Sequence, residues 1–382
     1  MIILEKPYVS DFLIDTINKN NICVLDNEIA RVYPVFKNLI STKEAVDKYK
    51  NKNELIYTNS ENAISWIDEN LHDSKLNEFI KISKDKAKFR NAIKSIYPDY
   101  YFCEVSKDEL KKLNPQNLKF PLILKPSVGF LSFGVYPVNN VDEWNKVILN
   151  LDKDIEKFAS VFPENVVNTQ KFLIEEMIEG DEFALDAYYD NNGCATILNI
   201  YKHPFFDASD VSDRAYYTNK EIIEKYCDKF KLVLDKISSC IGYKNFPFHL
   251  ELRANENNII PIELNPMRFC GWCITDMAYS AWGINVYEYF LNQKKPNWEN
   301  ILKDKDNSYY YFTMADIPSM IKNEEIKNID YEKYLKNISN PLVVRKIDYK
   351  NNPVFAIVFA KCDSLDEIKN ILKLKMEDFI EI

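Results

Sequence analysis

The sequence predicts a mixed α/β fold, α+β in its later part, built from several packed units. Three observations carry this expectation. Residues 1–58 alternate short apolar runs with a helical stretch. A stretch near residue 250 alternates apolar and polar side chains with a period of two, the mark of paired strands. All 7 glycines lie between Gly129 and Gly283, so tight backbone is confined to the middle of the chain, as a site built from loops requires. At 382 residues the chain is long for one domain, and roughly two to four units are expected. Its 46% hydrophobic and 14% aromatic content is ample for cores and argues against disorder. A net charge of -9 argues against a nucleic-acid surface, which needs a basic footprint, but leaves room for a nucleotide in a local pocket.

Met1 to Leu4, Ile22 to Leu25 and Leu55 to Thr58 read as strands. Ser10 caps a helix between the first two, with Phe12, Leu13 and Ile17 on one face. This β-α-β pattern predicts a small parallel sheet. No GxGxxG follows the first strand, so the region is read as scaffold for one side of a cleft. Helical runs follow at Glu61 to Glu69 and Ser74 to Ile96, the latter holding Lys84, Lys86, Lys88 and Arg90 in SKDKAKFRNAIK. Taken alone, such a cluster is a solvated helix face.

In FPLILKPSVGFLSFGVYPV, Phe120 to Leu124 and Val135 to Val138 read as strands joined by a loop holding Ser127, Gly129, Ser132 and Gly134. Lys125 ends the first strand. A lysine followed by hydroxyls and free backbone NH groups suits phosphate, although an ordinary long hairpin turn has the same outline. Phe130, Leu131 and Phe133 suggest a loop that closes over something. A helix near Asp142 to Leu149 precedes strands at Phe172 to Ile178, Glu182 to Tyr189 and Cys194 to Tyr201, with a kink at Gly180 among Glu175, Glu176 and Glu182. A long amphipathic helix, Asn219 to Ser239, leads into FPFHLELRANENNIIPIELNPMR. There Phe248, Leu250 and Leu252 face one way and His249, Glu251 and Arg253 the other. Closed symmetrically about Glu256, the hairpin sets Glu251 opposite Pro261 and diagonal to Glu263. Two carboxylates and the Asn265 amide then converge on one face, which is either a solvated strand pair or a seat for Mg²⁺ beside phosphates. The tail reads as a small α+β unit whose last helix starts in a capping box at Ser364 and Glu367.

The eight cysteines have no framework spacing, which fits a reducing cytosol; the lone Cys270-x-x-Cys273 is read as buried free thiols. No segment approaches membrane-spanning length and no basic leader opens the chain, so a cytoplasmic location is expected.

Taken in order from Lys84 to Gly271, these motifs resemble the ATP-grasp superfamily of carboxylate-amine and carboxylate-thiol ligases. The resemblance implies an ATP-grasp fold with an N-terminal β-α-β domain at residues 1–84 and a lid subdomain at 85–179. A metal and substrate subdomain at 180–300 and a C-terminal α+β extension at 301–382 complete it. It further implies that Lys86 and Lys125 contact ATP phosphates, with Ser127, Gly129, Ser132 and Gly134 in the covering loop. Glu175, Glu176, Met177 and Ile178 fall on the adenine hinge and Glu182 on the ribose. Glu251, Glu263 and Asn265 are the implied ligands of two Mg²⁺ ions, with Mn²⁺ as the alternative. Arg268, with Arg253 or His249 beside it, is the implied carboxylate and oxyanion anchor. Many members read NPR, whereas Met267 intervenes here. The implied activity is ligation of a small carboxylate to an amine through an acyl phosphate, releasing ADP and phosphate. Small molecules are the implied partners, with no nucleic acid or membrane, and a homodimer is left open. Two other readings stay open: a phosphotransferase on the same fold, and a nucleotide-binding protein without catalysis. Tyr216, Arg214, Lys202 and His203 are candidates for the acceptor pocket, as are Trp272, Cys273 and Asp276.

Overall fold

A computed structural model of the chain describes residues 1–128, 134–159, 168–205 and 213–382. At the N-terminus, β1 (Ile2–Ile3), β2 (Val24–Leu25), β3 (Leu39–Ile40) and β4 (Tyr57–Thr58) form a parallel sheet in the order β3-β2-β1-β4. The expected helix runs over Asp11–Lys19; Ser10 caps it by accepting from the Leu13 NH, and Leu13 and Ile17 are buried. β3 had no sequence signal beyond two residues. The next helical run breaks in two, Lys75–Lys84 and Lys86–Ala92, because Asp85 ends the first helix and its side chain caps the second at the Lys88 NH.

A second sheet holds β5 (Phe102–Ser106), β6 (Leu122–Val128), β7 (Tyr136–Val138) and β8 (Asn168–Glu176) in the order β5-β8-β6-β7. It has its own small core, in which Leu122, Leu124, Phe172 and Ile174 pack with Trp144 of the helix Val141–Ala159. β5 was not anticipated, since FCEVS is too short and polar to stand out.

The largest sheet is antiparallel throughout. It uses β9 (Asp181–Tyr189), β10 (Ala195–Lys202), β11 (Ala215–Thr218), β12 (Phe246–Ala254), β13 (Ile259–Pro266) and β14 (Tyr309–Asp316). Beyond a small pairing of β15 (Asn328–Ile329) with β18 (Ile380–Glu381), it is completed by β16 (Pro341–Lys346) and β17 (Val354–Cys362). The order is β13-β12-β9-β10-β11-β14-β17-β16. The C-terminal strands therefore extend the same sheet that carries the Glu251 hairpin. The helix Lys220–Ile241 covers its back, where Phe230 meets Phe183 at 5.3 Å between ring centroids.

The hairpin register differs from the symmetric expectation. Ala254 pairs with Ile259 across the turn, which Asn255 closes by accepting the NH groups of Asn257 and Asn258. Leu252 then pairs with Pro261, but Glu251 pairs with Glu263, so Ile262 is the extra residue of a bulge. Pro261 cannot donate to the ladder, and it sits on the edge strand where a proline is tolerated. The bulge brings the two carboxylates directly opposite instead of diagonal.

Candidate active site

The acidic corner follows from that register. Glu251 faces Glu263 and His249 faces Asn265 on neighbouring strands. Asn265 Nδ2 donates to Glu263 Oε1 at 3.2 Å, and Lys86 Nζ, at the start of its helix, pairs with Glu263 Oε2 at 2.6 Å. Burial drives the Glu251 carboxyl well above the ordinary carboxylate range, and the Glu263 charge pushes it further. Burial acts on Glu263 the same way, but Lys86 outweighs it and holds that carboxyl below its ordinary value. Among the described residues no group of three or more His, Cys, Asp or Glu side chains gathers for a metal. Two carboxylates and an amide nonetheless fit Mg²⁺, which takes one or two carboxylates, keeps several waters and completes its shell with phosphates.

Across from this corner, Glu175 at the end of β8 is almost fully buried between Arg90 and Lys125. Arg90 Nε donates to Glu175 Oε2 at 3.0 Å and Nη1 to the Pro261 carbonyl at 2.5 Å, while Lys125 pairs with Glu175 Oε1. The Arg90 guanidinium lies over the Tyr100 ring, 4.6 Å from its centroid. Burial would raise the Glu175 carboxyl, yet Arg90 and Lys125 together hold it down at about 2. Lys125 is lowered, first by burial and then by Arg90 and Lys86 against the pull of Glu175.

The hinge between β8 and β9 turns at Gly180, whose φ is +115°. A Cβ there would lie 2.5 Å from the Ala254 carbonyl oxygen, so only glycine lets the hinge pass this close to β12. Glu182 opens β9 and takes a two-pronged contact from Arg253, at 3.1 Å from Nε and 3.0 Å from Nη2. Arg253 Nη1 also reaches the Ile178 carbonyl at 3.4 Å. Arg253 thereby ties the Glu182 carboxylate to the hinge backbone.

Arg268 lies near the corner, with one extra residue before it. Met267 absorbs that residue: it takes φ 68°, is fully buried, donates its NH to the Pro247 carbonyl at 2.8 Å and accepts from the Thr58 NH at 2.9 Å. Arg268 Nη2 then meets Glu61 Oε1 at 2.6 Å, and the Glu251 charge acts on it.

Residues 118–276 match the family model described as an ATP-grasp domain. The chain carries an ATP-grasp domain. Among solved structures, the chain is similar to phosphoribosylglycinamide synthetase from Anaerococcus prevotii, at 18% identity and a TM-score of 0.60, covering 100% of this chain and 98% of that one. It is also similar to an L-amino acid ligase from Bacillus licheniformis, at 16% identity and TM-score 0.65, covering 100% and 97%. A third is N5-carboxyaminoimidazole synthase from Aspergillus clavatus in complex with ADP and 5-aminoimidazole ribonucleotide, at 13% identity and TM-score 0.65, covering 99% and 97%. At these identities the likeness is one of fold. No curated protein gives a significant match to the chain.

Within the ATP-grasp domain, Ser127 Oγ donates to Glu104 Oε1 at 3.1 Å, and Gly134 is buried with φ 73°. Gly129 and Ser132 lie outside the described residues, as do Phe130, Leu131 and Phe133. Of the acceptor-pocket candidates, Tyr216 donates its hydroxyl to Asp213 at 2.9 Å and feels the charges of Glu251 and Glu182, and His203 packs against its ring at 4.4 Å. Arg214 is instead drawn to Asp316 and to the Leu372 and Leu374 carbonyls, and Lys202 pairs with Asp181. Sequence reasoning missed Glu61, Arg90 as a buried group, Asp213, and Asp186. Asp186 takes the His249 ring nitrogen Nδ1 at 2.8 Å, the Tyr201 hydroxyl at 2.8 Å and the Cys270 NH at 2.7 Å. The four-residue spacing of Lys86 and Arg90 was the available signal, since it puts both on one helix face. Burial raises the thiols of Cys270 and Cys273, the latter to about 11, so both are held as thiols.

Proposed function

We propose that the chain is an ATP-dependent ligase that joins a small carboxylate to an amine through an acyl phosphate, with release of ADP and phosphate. The observation that carries this reading is the meeting of Lys86, at 2.6 Å from Glu263, with a carboxylate pair directly opposed on adjacent strands. A cation resting on this carboxylate pair supports a seat where positive charge and phosphate oxygens would meet. In this reading Glu251, Glu263 and Asn265 would hold Mg²⁺, which supplies charge compensation at the phosphates during transfer. Lys86 and Lys125 would neutralise phosphate oxygens. Glu182, kept in place by Arg253, would hold the ribose hydroxyls. Arg268 would leave Glu61 to steady the substrate carboxylate and then the oxyanion formed as the amine adds, a contribution of about 3 kcal/mol in comparable sites.

ADP release measured over a panel of amino acids and small carboxylic acids, with mass analysis of the products, tests the proposal. A product joined through a new C–N bond supports it; a phosphorylated product made without the amine overturns it in favour of a phosphotransferase. In the same series Lys125→Ala is expected to weaken ATP binding by calorimetry, and unchanged affinity would remove Lys125 from the phosphate site.

A further inference from the structure

The loop that presents Arg268 is held in a strained backbone shape. Met267, Trp272 and Cys273 have φ of 68°, 56° and 52°, left-handed values that residues with side chains hold only where the surroundings over-determine them. At the entry, Thr58 and Pro247 pin Met267, as described above. At the exit, the restraint comes from the C-terminal part of the chain. Arg345 on β16 donates Nη1 to the Cys273 carbonyl at 2.8 Å and to the Trp272 carbonyl at 3.5 Å, and Nη2 to Asp276 Oδ2 at 2.5 Å. Asp276 also accepts from Ser10 Oγ and from the Tyr287 hydroxyl, both at 2.6 Å. Arg345 and Asp276 are both buried, and the guanidinium lies 4.5 Å from the Phe359 ring centroid and 5.6 Å from that of Tyr8. Tyr8 in turn stacks on Trp272. The N-terminal helix cap, the loop after β13 and a C-terminal strand thus meet on one carboxylate.

We propose that Arg345 and Asp276 are positioning residues that lock the Trp272–Cys273 step and so fix the loop carrying Arg268. The proposal deepens the ligase reading and rests on Arg268 lining its site. The fork geometry is what matters: a guanidinium serves the Cys273 carbonyl and Asp276 at once, whereas a lysine keeps the charge on Asp276 but offers no planar fork. Removing only one partner would strand a buried charge and could unfold the chain, so the deciding variants are Arg345→Lys and the double change Arg345→Met with Asp276→Leu.

Hydrogen exchange followed peptide by peptide tests this without knowledge of the substrate. In Arg345→Lys, amides of residues 268–273 are expected to exchange on the order of tenfold faster, with β9 and the helix Lys220–Ile241 unchanged. ATP affinity by calorimetry is expected to stay within about twofold of the parent. With a substrate pair identified, turnover is expected to fall roughly tenfold to a hundredfold with KM for ATP unchanged, the signature of a displaced group. Unchanged loop exchange in both folded variants overturns the proposal. So does exchange raised evenly across the chain, which would make the pair an ordinary stabilising contact. A parent protein that releases no ADP with any substrate sinks the ligase reading, while the exchange result still decides this one.

Discussion

Two clusters of buried charge lie close enough to act on each other, and they are unbalanced in opposite senses. On the lid side, Arg90 and Lys125 share the single carboxylate of Glu175. On the large sheet, Glu251 and Glu263 share the single ammonium of Lys86. The lid cluster is nearly dry, with Arg90 and Glu175 each 2% exposed at the side chain, whereas Glu263 is 19% exposed. The first is closed by packing and by the Pro261 carbonyl; the second is the more exposed. Surplus positive charge on one wall and surplus negative charge on the other is the arrangement that phosphates with their counter-cations would complete. On the proposed reading the drier cluster bears more on stability and the more exposed one more on the ligand, and substitutions can separate the two.

The largest effect is expected at the open cluster and on activity alone. Glu263→Ala removes the carboxylate that holds Lys86 and accepts from Asn265. ADP release is expected to fall by roughly a hundredfold to a thousandfold, in keeping with several kcal/mol of charge stabilisation at a metal site. The fold should survive. Undiminished ADP release with a competent substrate pair would break the comparison, because the corner would then hold nothing the reaction needs.

At the closed cluster the expected effect is on stability. Glu175→Gln leaves Arg90 and Lys125 without a counter-charge in a dry site, at a cost of about 3–5 kcal/mol in chemical denaturation. The acid limb supplies a second check. Glu175 has its carboxyl lowered from 4.5 to about 2, so its folded value lies below the unfolded one. Its stabilisation is therefore complete above pH 4.5 and is lost as the pH falls toward about 2. Glu175→Gln should flatten that part of the curve. A full-size acid slope in the variant would assign the loss to other carboxylates.

How much of this could be read from residues alone follows the same division. The alternation in FHLELR and IPIELNP sets which side chains share a face, because strand periodicity is local. The opposition of Glu251 and Glu263 depends on a bulge at Ile262, and a one-residue shift of that kind leaves no trace in the alternation. Arg90 looked like one of four cations on a solvated helix, and only its packing against β8 and β13 separates it from exposed Lys88. Glu61 reaches Arg268 across 207 residues of sequence, and Arg345 reaches Asp276 across 69. Such pairs are decided by which surfaces the fold brings together, and a single sequence carries no record of that.

The smallest expected effect sharpens the comparison most, because its sign is unusual for an acid. Burial and the charge of Glu263 raise the folded Glu251 carboxyl well above its ordinary value of 4.5, so the folded protein binds this proton more tightly than the unfolded chain does. Stability then falls as pH rises from 4.5 through the folded value, the reverse of the Glu175 case. Where the folded protein holds that proton, Glu251→Gln replaces a neutral acid by an amide of the same shape. Its cost there is expected to stay within about 0.5 kcal/mol, as for a change that breaks no packed or paired group. Toward higher pH the parent should lose stability that the variant keeps, so the two denaturation curves should diverge with the variant the more stable. Adding Mg²⁺ with ATP should stabilise the parent and close that gap, since a ligand bound to the folded state alone adds its binding free energy. In Glu251→Gln the same addition should do much less. Parallel pH curves for parent and variant would show that Glu251 is an ordinary ionised carboxylate, and the charge imbalance assigned to the open cluster would have to be met elsewhere.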